Sequence, residues 1–526
     1  MEYPNKIPMS GSFGGRTKRS NHGKWNEAKH VGVKILIVTA VFTVVGLIIL
    51  SEILMNDEQS KISKNGGVIQ AMPWGQLLPP SIERTLPPYP DKEPATDGSW
   101  KFVNGTKFKF FVFSAFYDRR GGNRLIRVIG ATKTRGTEKV WCRLWYPVGP
   151  NNSTFESTSV MARVQIIREN WDLKYSACFV LCPLQAPGLE VPYAVSIVSK
   201  IRSPPGNVLL LRNTDQDSQL QNRANINQIP DQIGVCIKPF HYDYDSALHL
   251  LEFLELYSLL GVSHFTFYNH TLGPDAACVL RHYIDEGLAN IDTLDGTGQR
   301  PTVSMLQWDL KMQSQKEIRT EGLFAAFNDC LYRSMYRFQY VVFVDVDEFI
   351  VPRRNDTLKD LLKWLSLKPS NINAGAYSFQ NAFFYLQFAD DSLTYERNVS
   401  NAALRSALLT QRKTRRRLKL HPHRERSKYI CKPQSVVEVG NHFVWEFMPG
   451  QGHSNVTPDI AILHHYRVCE YGGDDCVNHP STVDRTAHKY SHRLTDRVEM
   501  MYSKLKTPCK LLDVPPVPTK APEERK

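Results

Sequence analysis

No cysteine precedes residue 142 of this 526-residue chain; all ten lie beyond an apolar stretch near the N-terminus. Cysteine and histidine at zinc-finger spacing are missing, and so is the aromatic signature of an RNA-binding sheet. These absences matter because the net charge of +13 would otherwise read as a footprint for nucleic acid. The excess lies partly in the N-terminal tail and partly in one run from Arg412 to Lys428. We therefore expect no nucleic-acid partner. Charge is also missing from Ile35 to Leu50, between Lys34 and Glu52. With Val31 to Val33 that stretch reaches the roughly 20 residues a bilayer needs.

Lysines and arginines outnumber acids ahead of this stretch, with Lys6, Arg16, Lys18, Arg19, Lys24, Lys29 and Lys34 against Glu2 and Glu27. That excess places the N-terminus in the cytosol. No small-x-small cleavage site follows Leu50, and the leader would be long for a signal peptide. The expected organisation is a cytosolic tail (1–34) and a single transmembrane signal-anchor (35–51), with the rest luminal. A span this short suits the thinner membranes of the early secretory pathway, hence the Golgi. Sequons beginning at Asn104, Asn151, Asn152, Asn269, Asn355, Asn398 and Asn455 all follow the anchor, as do the cysteines. They predict a disulfide-bonded glycoprotein. Cys178 with Cys182, and Cys469 with Cys476, are close enough to close small loops; Cys330, in an apolar helix, reads as a buried thiol.

Beyond the anchor, 52–98 is polar and rich in proline, the composition of an extended stem. Residues 99–213 hold short strand-like runs separated by Gly, Pro and Asn, so a β-rich domain is expected. From 232 to 510 the pattern changes. Strand-like Ile233–Ile237, Val262–Tyr268, Val303–Leu310 and Tyr340–Val344 alternate with helical patterns over Ala247–Tyr257, Ala277–Asp285 and Glu317–Tyr336. Such alternation predicts an α/β domain with a doubly wound, mostly parallel sheet. Residues 511–526 read as a disordered tail.

The fourth strand of that series ends on Asp345-Val-Asp347-Glu348. Unpaired acids are too costly to bury, so the strand should stop there. Alternate strand residues share a face, which points Asp345 and Asp347 the same way and Glu348 elsewhere. Open α/β sheets bind ligands at the carboxyl ends of their strands. Two hard carboxylates there suit Mn²⁺ or Mg²⁺ bridging to a diphosphate. The alternative is a solvated acidic turn.

Several stretches resemble glycosyltransferase family 92. They are Cys236-Ile-Lys-Pro-Phe-His241, Glu252-Phe-Leu-Glu-Leu-Tyr257, Gly261-Val-Ser-His-Phe-Thr-Phe-Tyr-Asn269, Asn328-Asp-Cys330, Asp345-Val-Asp-Glu-Phe-Ile-Val-Pro352 and His464-His-Tyr-Arg467. The resemblance implies a GT-A type fold, a type II Golgi membrane protein and an inverting transferase. It implies UDP-galactose as donor, and a glycan of a glycoprotein or glycolipid as acceptor.

On that reading Asp347 is the direct metal ligand, with Asp345 reaching the ribose or a metal-bound water. One of His464 and His465 is the third ligand, since strand neighbours face opposite ways; the resemblance favours His465, and His442 competes. Lys238, His241, Tyr268 and Asn269 end the first two strands, at nucleotide-facing positions. Tyr268 is expected to stack on uracil or else to cap the strand, and Asn269 to be unmodified. Asn328 and Asp329 are assigned to donor contacts or to capping. Arg426 and Lys428 are candidates to grip phosphate. Inversion needs a base across the sugar from the metal. Glu446, beside Trp445, is the candidate base, with Asp390 and Asp391 next. Two rivals remain: a membrane-anchored glycan-binding or adhesion protein without turnover, and a metal-dependent phosphohydrolase. The missing Gly-Thr after Asp347 weakens the second.

Overall fold

The computed structural model describes residues 72–90, 94–122, 124–149, 154–214, 229–289, 301–398, 401–469 and 475–517, with Thr43 and Gly46. The chain falls into two units, Met1–Met72 and Pro73–Lys526. The expected tail and, but for those two residues, the anchor lie outside the described residues. Among the described residues no helix is long and apolar enough to cross a membrane.

Residues 101–212 form nine strands: β1 (Lys101–Phe102), β2 (Phe111–Asp118), β3 (Leu125–Lys133), β4 (Trp141–Val148), β5 (Thr154–Met161), β6 (Arg163–Ile166), β7 (Tyr175–Pro183), β8 (Ala194–Val198) and β9 (Leu209–Arg212). They pair in the order β5-β4-β8-β9-β2-β3-β7-β6, with β1 on β2. Every residue of β7 is buried. Side chains alternate along a strand, so burial of all of them requires cover on both faces. Cys178, Val180 and Cys182 enter one core with Val128, Leu144 and Ile197. Ala177, Phe179 and Leu181 enter another with Phe327, Leu331 and Tyr332 of the following domain. The β-rich domain is thus packed against the α/β domain through shared core.

That α/β domain begins with β10 (Ile233–Ile237), α1 (Ala247–Leu259), β11 (His264–Asn269), α2 (Pro274–Ala289), β12 (Thr302–Gln307), α3 (Leu323–Ser334) and β13 (Tyr340–Val344). Later come β14 (Glu348–Pro352), α4 (Leu358–Ser366), β15 (Ala374–Phe379), β16 (Asn381–Tyr385), β17 (Arg415–Arg417), β18 (Lys428–Cys431), β19 (Val436–Val439), β20 (Val444–Phe447), β21 (Gly452–Val456), β22 (Ala461–Arg467), β23 (Ser481–Val483) and α5 (Ser491–Lys506). The main sheet runs β12-β11-β10-β13-β18-β15-β21. Its first four strands are parallel, and β18 is antiparallel to both neighbours. The fold is therefore α/β with mixed sheets. β10 lies between β11 and β13, so successive crossovers leave it in opposite directions, the switch point at which such sheets bind ligands. A second sheet, β14-β22-β16, abuts the end of β13.

Four sequence expectations change. Residues 73–90 and 94–98 of the predicted stem dock on the β-rich and α/β domains, and residues 52–71 lie outside the described residues. Tyr89 stacks on Phe155 at 4.2 Å, Ser159 N–H donates to Glu83, and Asp97 accepts from Arg333 of α3. The prolines disfavour regular structure there without preventing this docking. The first residues of the expected disordered tail are docked, since Leu511 is buried and Tyr502 donates to the carbonyl of Leu512; residues 518–526 lie outside the described residues. Cys330 is no free thiol: it pairs with Cys236, tying α3 to β10. Cys182 pairs with Cys142, leaving Cys178 free and buried. Cys469–Cys476 closes its short loop as expected, and Cys278–Cys509 ties α2 to the chain beyond α5.

Candidate active site

β13 is buried along its whole length and stops at Val344. Asp345, Val346 and Asp347 form a turn rather than a strand end, and Glu348 opens β14. The turn is held from both sides. Asp345 N–H donates to Glu348 Oε2 at 2.8 Å, and Glu348 N–H to the Asp345 carbonyl at 3.1 Å. Tyr466 N–H donates to the Asp347 carbonyl at 2.9 Å. The Tyr257 hydroxyl donates to the Glu348 carbonyl and accepts from Ile350 N–H.

Two lysines and one histidine converge on these acids. Lys238, just past β10, sets its Nζ 3.0 Å from Asp345 Oδ2. Lys428, the first residue of β18, is fully buried with Nζ 3.2 Å from Glu348 and 3.7 Å from Asp345. It also donates to Asn441 Oδ1 at 2.8 Å. His465 stands opposite Glu348 in the β14–β22 register. Its Nδ1 lies 3.3 Å from Glu348 and its Nε2 3.4 Å from Asp347.

Burial pushes the Asp345 carboxyl up, but the Lys238 and Lys428 ammonium groups hold it well below the usual carboxylate range. Burial raises Asp347 as well, and His465 and Lys238 bring it below its ordinary value. Glu348 ends above its ordinary value, because burial and the repulsion of Asp345 and Asp347 outweigh Lys428. Lys238 goes up in spite of burial, under the pull of Asp345 and Asp347. Positive charge on Lys238 and Lys428 therefore favours the ionised form of Asp345, and that on Lys238 the ionised form of Asp347.

Among the described residues no three of His, Cys, Asp and Glu converge as a ready-made metal cage. The donor set nevertheless fits a hard divalent ion. Asp345 Oδ1 is buried and has no hydrogen-bond partner among the described residues. Asp347 is the most exposed of the acids, and His465 stands beside it. Their oxygens and one imidazole are ligand types that Mn²⁺ or Mg²⁺ accepts.

Alternation along β22 sends the two histidines apart. His464 is fully buried, stacked on Phe384 at 4.4 Å, with burial taking its pKa down to about 3. His442 is occupied by Ser427 and Asn441 rather than by Asp347. Asn269 ends β11 half-buried, one residue before His270.

Six other expected site residues are engaged elsewhere in the structure. Tyr268 is fully buried and donates to Asp329 at 2.6 Å, edge-on to Trp308; it cannot stack on a base. Asp329 also accepts from Ser114 of β2 and pairs with Arg333, so it anchors the two domains. Asn328 bonds the carbonyl of Phe324 and both backbone groups of Val439, fastening α3 to β19. Glu446 pairs with Arg168 of the β-rich domain at 2.5 Å, and Trp445 donates to Glu169. Both are partly exposed and face the β-rich domain. Asp391 accepts from Arg485 and Thr414, and Asp390 pairs with Lys413. The basic run is strand near its two ends and partly exposed between them: Arg416 pairs with Asp484, Arg426 is exposed, and Lys428 braces acids.

The α/β fold with its mixed sheet agrees with the resemblance to glycosyltransferase family 92. A family model described as glycosyltransferase family 92 matches residues 231–509. The chain belongs to this family. The match begins just before β10 and ends after α5, so it spans the whole α/β domain and none of the β-rich one. A Caenorhabditis elegans relative, glycosyltransferase family 92 protein F13G3.3, is 27% identical over 152 residues, 29% of this chain and 29% of its own. The chain thus matches under a third of that relative's length. Among solved structures, glucosyl-3-phosphoglycerate synthase from Mycobacterium tuberculosis in complex with phosphoglyceric acid aligns at a TM-score of 0.21 and 11% identity. The alignment covers 55% of this chain and 89% of that one. A second mycobacterial protein aligns at 0.21 and 13%, over 54% and 76%. At those scores neither adds to the account of this family 92 chain.

Proposed function

We propose that this family 92 protein transfers galactose from UDP-galactose to a hydroxyl of a glycan on a glycoprotein or glycolipid, with inversion and with Mn²⁺ or Mg²⁺. The observation that carries the reading is the Asp345–Asp347 turn at the switch point of the sheet, braced by Lys238, Lys428 and His465. Asp347, His465 and the unpartnered Oδ1 of Asp345 would hold the ion. Bound there, it supplies Lewis-acid stabilisation of the charge that grows on the departing nucleotide. The chain's own share is positional. Lys238 sets a fixed positive charge at the mouth of the turn, where no reorganisation is needed as the glycosidic bond breaks. Lys428 and Glu348 keep the turn from collapsing toward the sheet.

The proposed setting is the Golgi lumen, with the protein held as a single-pass type II membrane protein by residues 35–51. Four disulfides among the described residues support an oxidising compartment. Incubating the full chain with UDP-galactose, Mn²⁺ and glycan acceptors tests the reading. Acceptor-dependent release of UDP with gain of a hexose supports it. Release of inorganic phosphate alone, or glycan binding without turnover, contradicts it.

A further inference from the structure

Between β12 and α3 three consecutive residues have positive φ: Thr320 at 41°, Glu321 at 52° and Gly322 at 78°. Glycine adopts that region freely, whereas threonine and glutamate do so only under constraint. The constraint is visible. Trp308 Nε1 donates to the Glu321 carbonyl at 2.5 Å, Glu321 N–H donates to Ser314 Oγ at 3.1 Å, and Gln315 donates to Thr320 Oγ1. Backbone strain held in this way fixes a side chain in one place. Here it is the carboxylate of Glu321, almost fully buried, with Oε2 3.5 Å from Nε2 of His270.

The tautomer of His270 follows from its other nitrogen. Nδ1 lies 2.9 Å from the carbonyl oxygen of Trp308. A carbonyl can only accept, so Nδ1 carries the hydrogen. Nε2 is then the nitrogen turned toward Glu321, and an ionised carboxylate there offers acceptor oxygens only.

The place of the pair says what it faces. His270 follows β11, which lies two strands from β13 in the order β11-β10-β13. Two strand spacings are about 10 Å, a distance that a ribose and base extending from a diphosphate at the acid turn would cover. His241 follows Phe240, which bridges to Asn269 at the end of β11, next to His270. Its neighbour Tyr242 is 78% exposed, has φ of 56°, and holds its ring 4.5 Å from that of His241. The edge thus has a flat aromatic face and a fixed carboxylate.

We propose that Glu321, positioned by His270, accepts the ring N–H of the donor nucleobase, and that Tyr242 offers that base a stacking face. This rests on the nucleotide-sugar reading above. Uracil carries such a hydrogen at N3 and guanine at N1; cytosine and adenine have a lone pair at the corresponding position. The site selects against those two by lone-pair repulsion, and selection is a difference of affinities.

Calorimetric titration of the full chain in Mn²⁺ with UDP, N3-methyl-UDP, CDP and GDP tests this. UDP should bind about 10- to 100-fold more tightly than N3-methyl-UDP or CDP, the range for losing a hydrogen bond to a charged acceptor. Tighter binding of GDP than of UDP would keep the role of Glu321 and assign the donor base as guanine. In Glu321→Gln the side-chain amide can turn to accept or donate, so the UDP-to-CDP ratio should collapse toward one with the unfolding temperature little changed. Equal binding of UDP and N3-methyl-UDP by the native chain overturns the proposal without any variant. So does an unchanged ratio in Glu321→Gln. If no nucleoside diphosphate binds, the donor reading itself fails and this falls with it.

Discussion

Lys428 enters the sheet fully buried, its Nζ 3.2 Å from the carboxylate of Glu348. Nothing about this pair is exposed to the screening that weakens surface ion pairs. Removing one partner of a buried pair leaves an uncompensated charge, at about 3–5 kcal/mol. Lys428→Met should lower the unfolding free energy by that amount in denaturant titration. Lys428→Met with Glu348→Leu should recover much of the loss. A single variant as stable as the native chain would show that the pair does not hold the turn.

Tyr268 and Asp329 give a second prediction, because the structure takes them out of the cleft. Tyr268→Phe removes one donor from a buried carboxylate. Stability should fall by about 1–3 kcal/mol, while the dissociation constant for UDP stays as it was. A large loss of nucleotide affinity at unchanged stability would restore Tyr268 to the binding site.

Those two residues also show what the sequence could not reveal. The apolar run Tyr340–Val344, the acids after it and the alternation of His464 with His465 were legible, because strand period and burial cost are local properties. The cover on the far side of the sheet was not. Tyr268, Asn328 and Asp329 look like cleft residues until β2, β3 and β7 are seen packed over α3. Glu446 and Trp445 look like a sugar site until Arg168 and Glu169 arrive from a domain nearly 280 residues earlier. Positive φ at Thr320 and Glu321 left no trace beyond the single Gly322.

Acid should loosen the contact between domains. Burial raises Asp118, but Arg120 and Arg127 outweigh it and hold the carboxyl at about 2. Arg120 in turn donates to the carbonyls of Pro433, Gln434 and Val436. A folded pKa below the unfolded one adds stability above the unfolded value, and that stability is lost as pH falls through the folded one. The contribution is roughly 2 kcal/mol, present above about pH 4 and gone near pH 2. Asp118→Asn should lower stability at neutral pH and flatten its slope across that window. A slope identical to the native one would remove Asp118 from the account.

On the proposed function, the Asp345–Asp347 turn carries nucleotide-sugar-dependent transfer. The most direct measurement compares the full chain with Asp347→Ala, using UDP-galactose, Mn²⁺ and a glycan acceptor, and following the hexose gained by the acceptor. Asp347 is the most exposed acid of the turn, so the variant should fold with its unfolding temperature little changed. The account predicts acceptor-dependent transfer by the native chain and a fall of about 10²–10³-fold in the variant, as for loss of one preorganised electrostatic group. Transfer at the native rate by Asp347→Ala would contradict it.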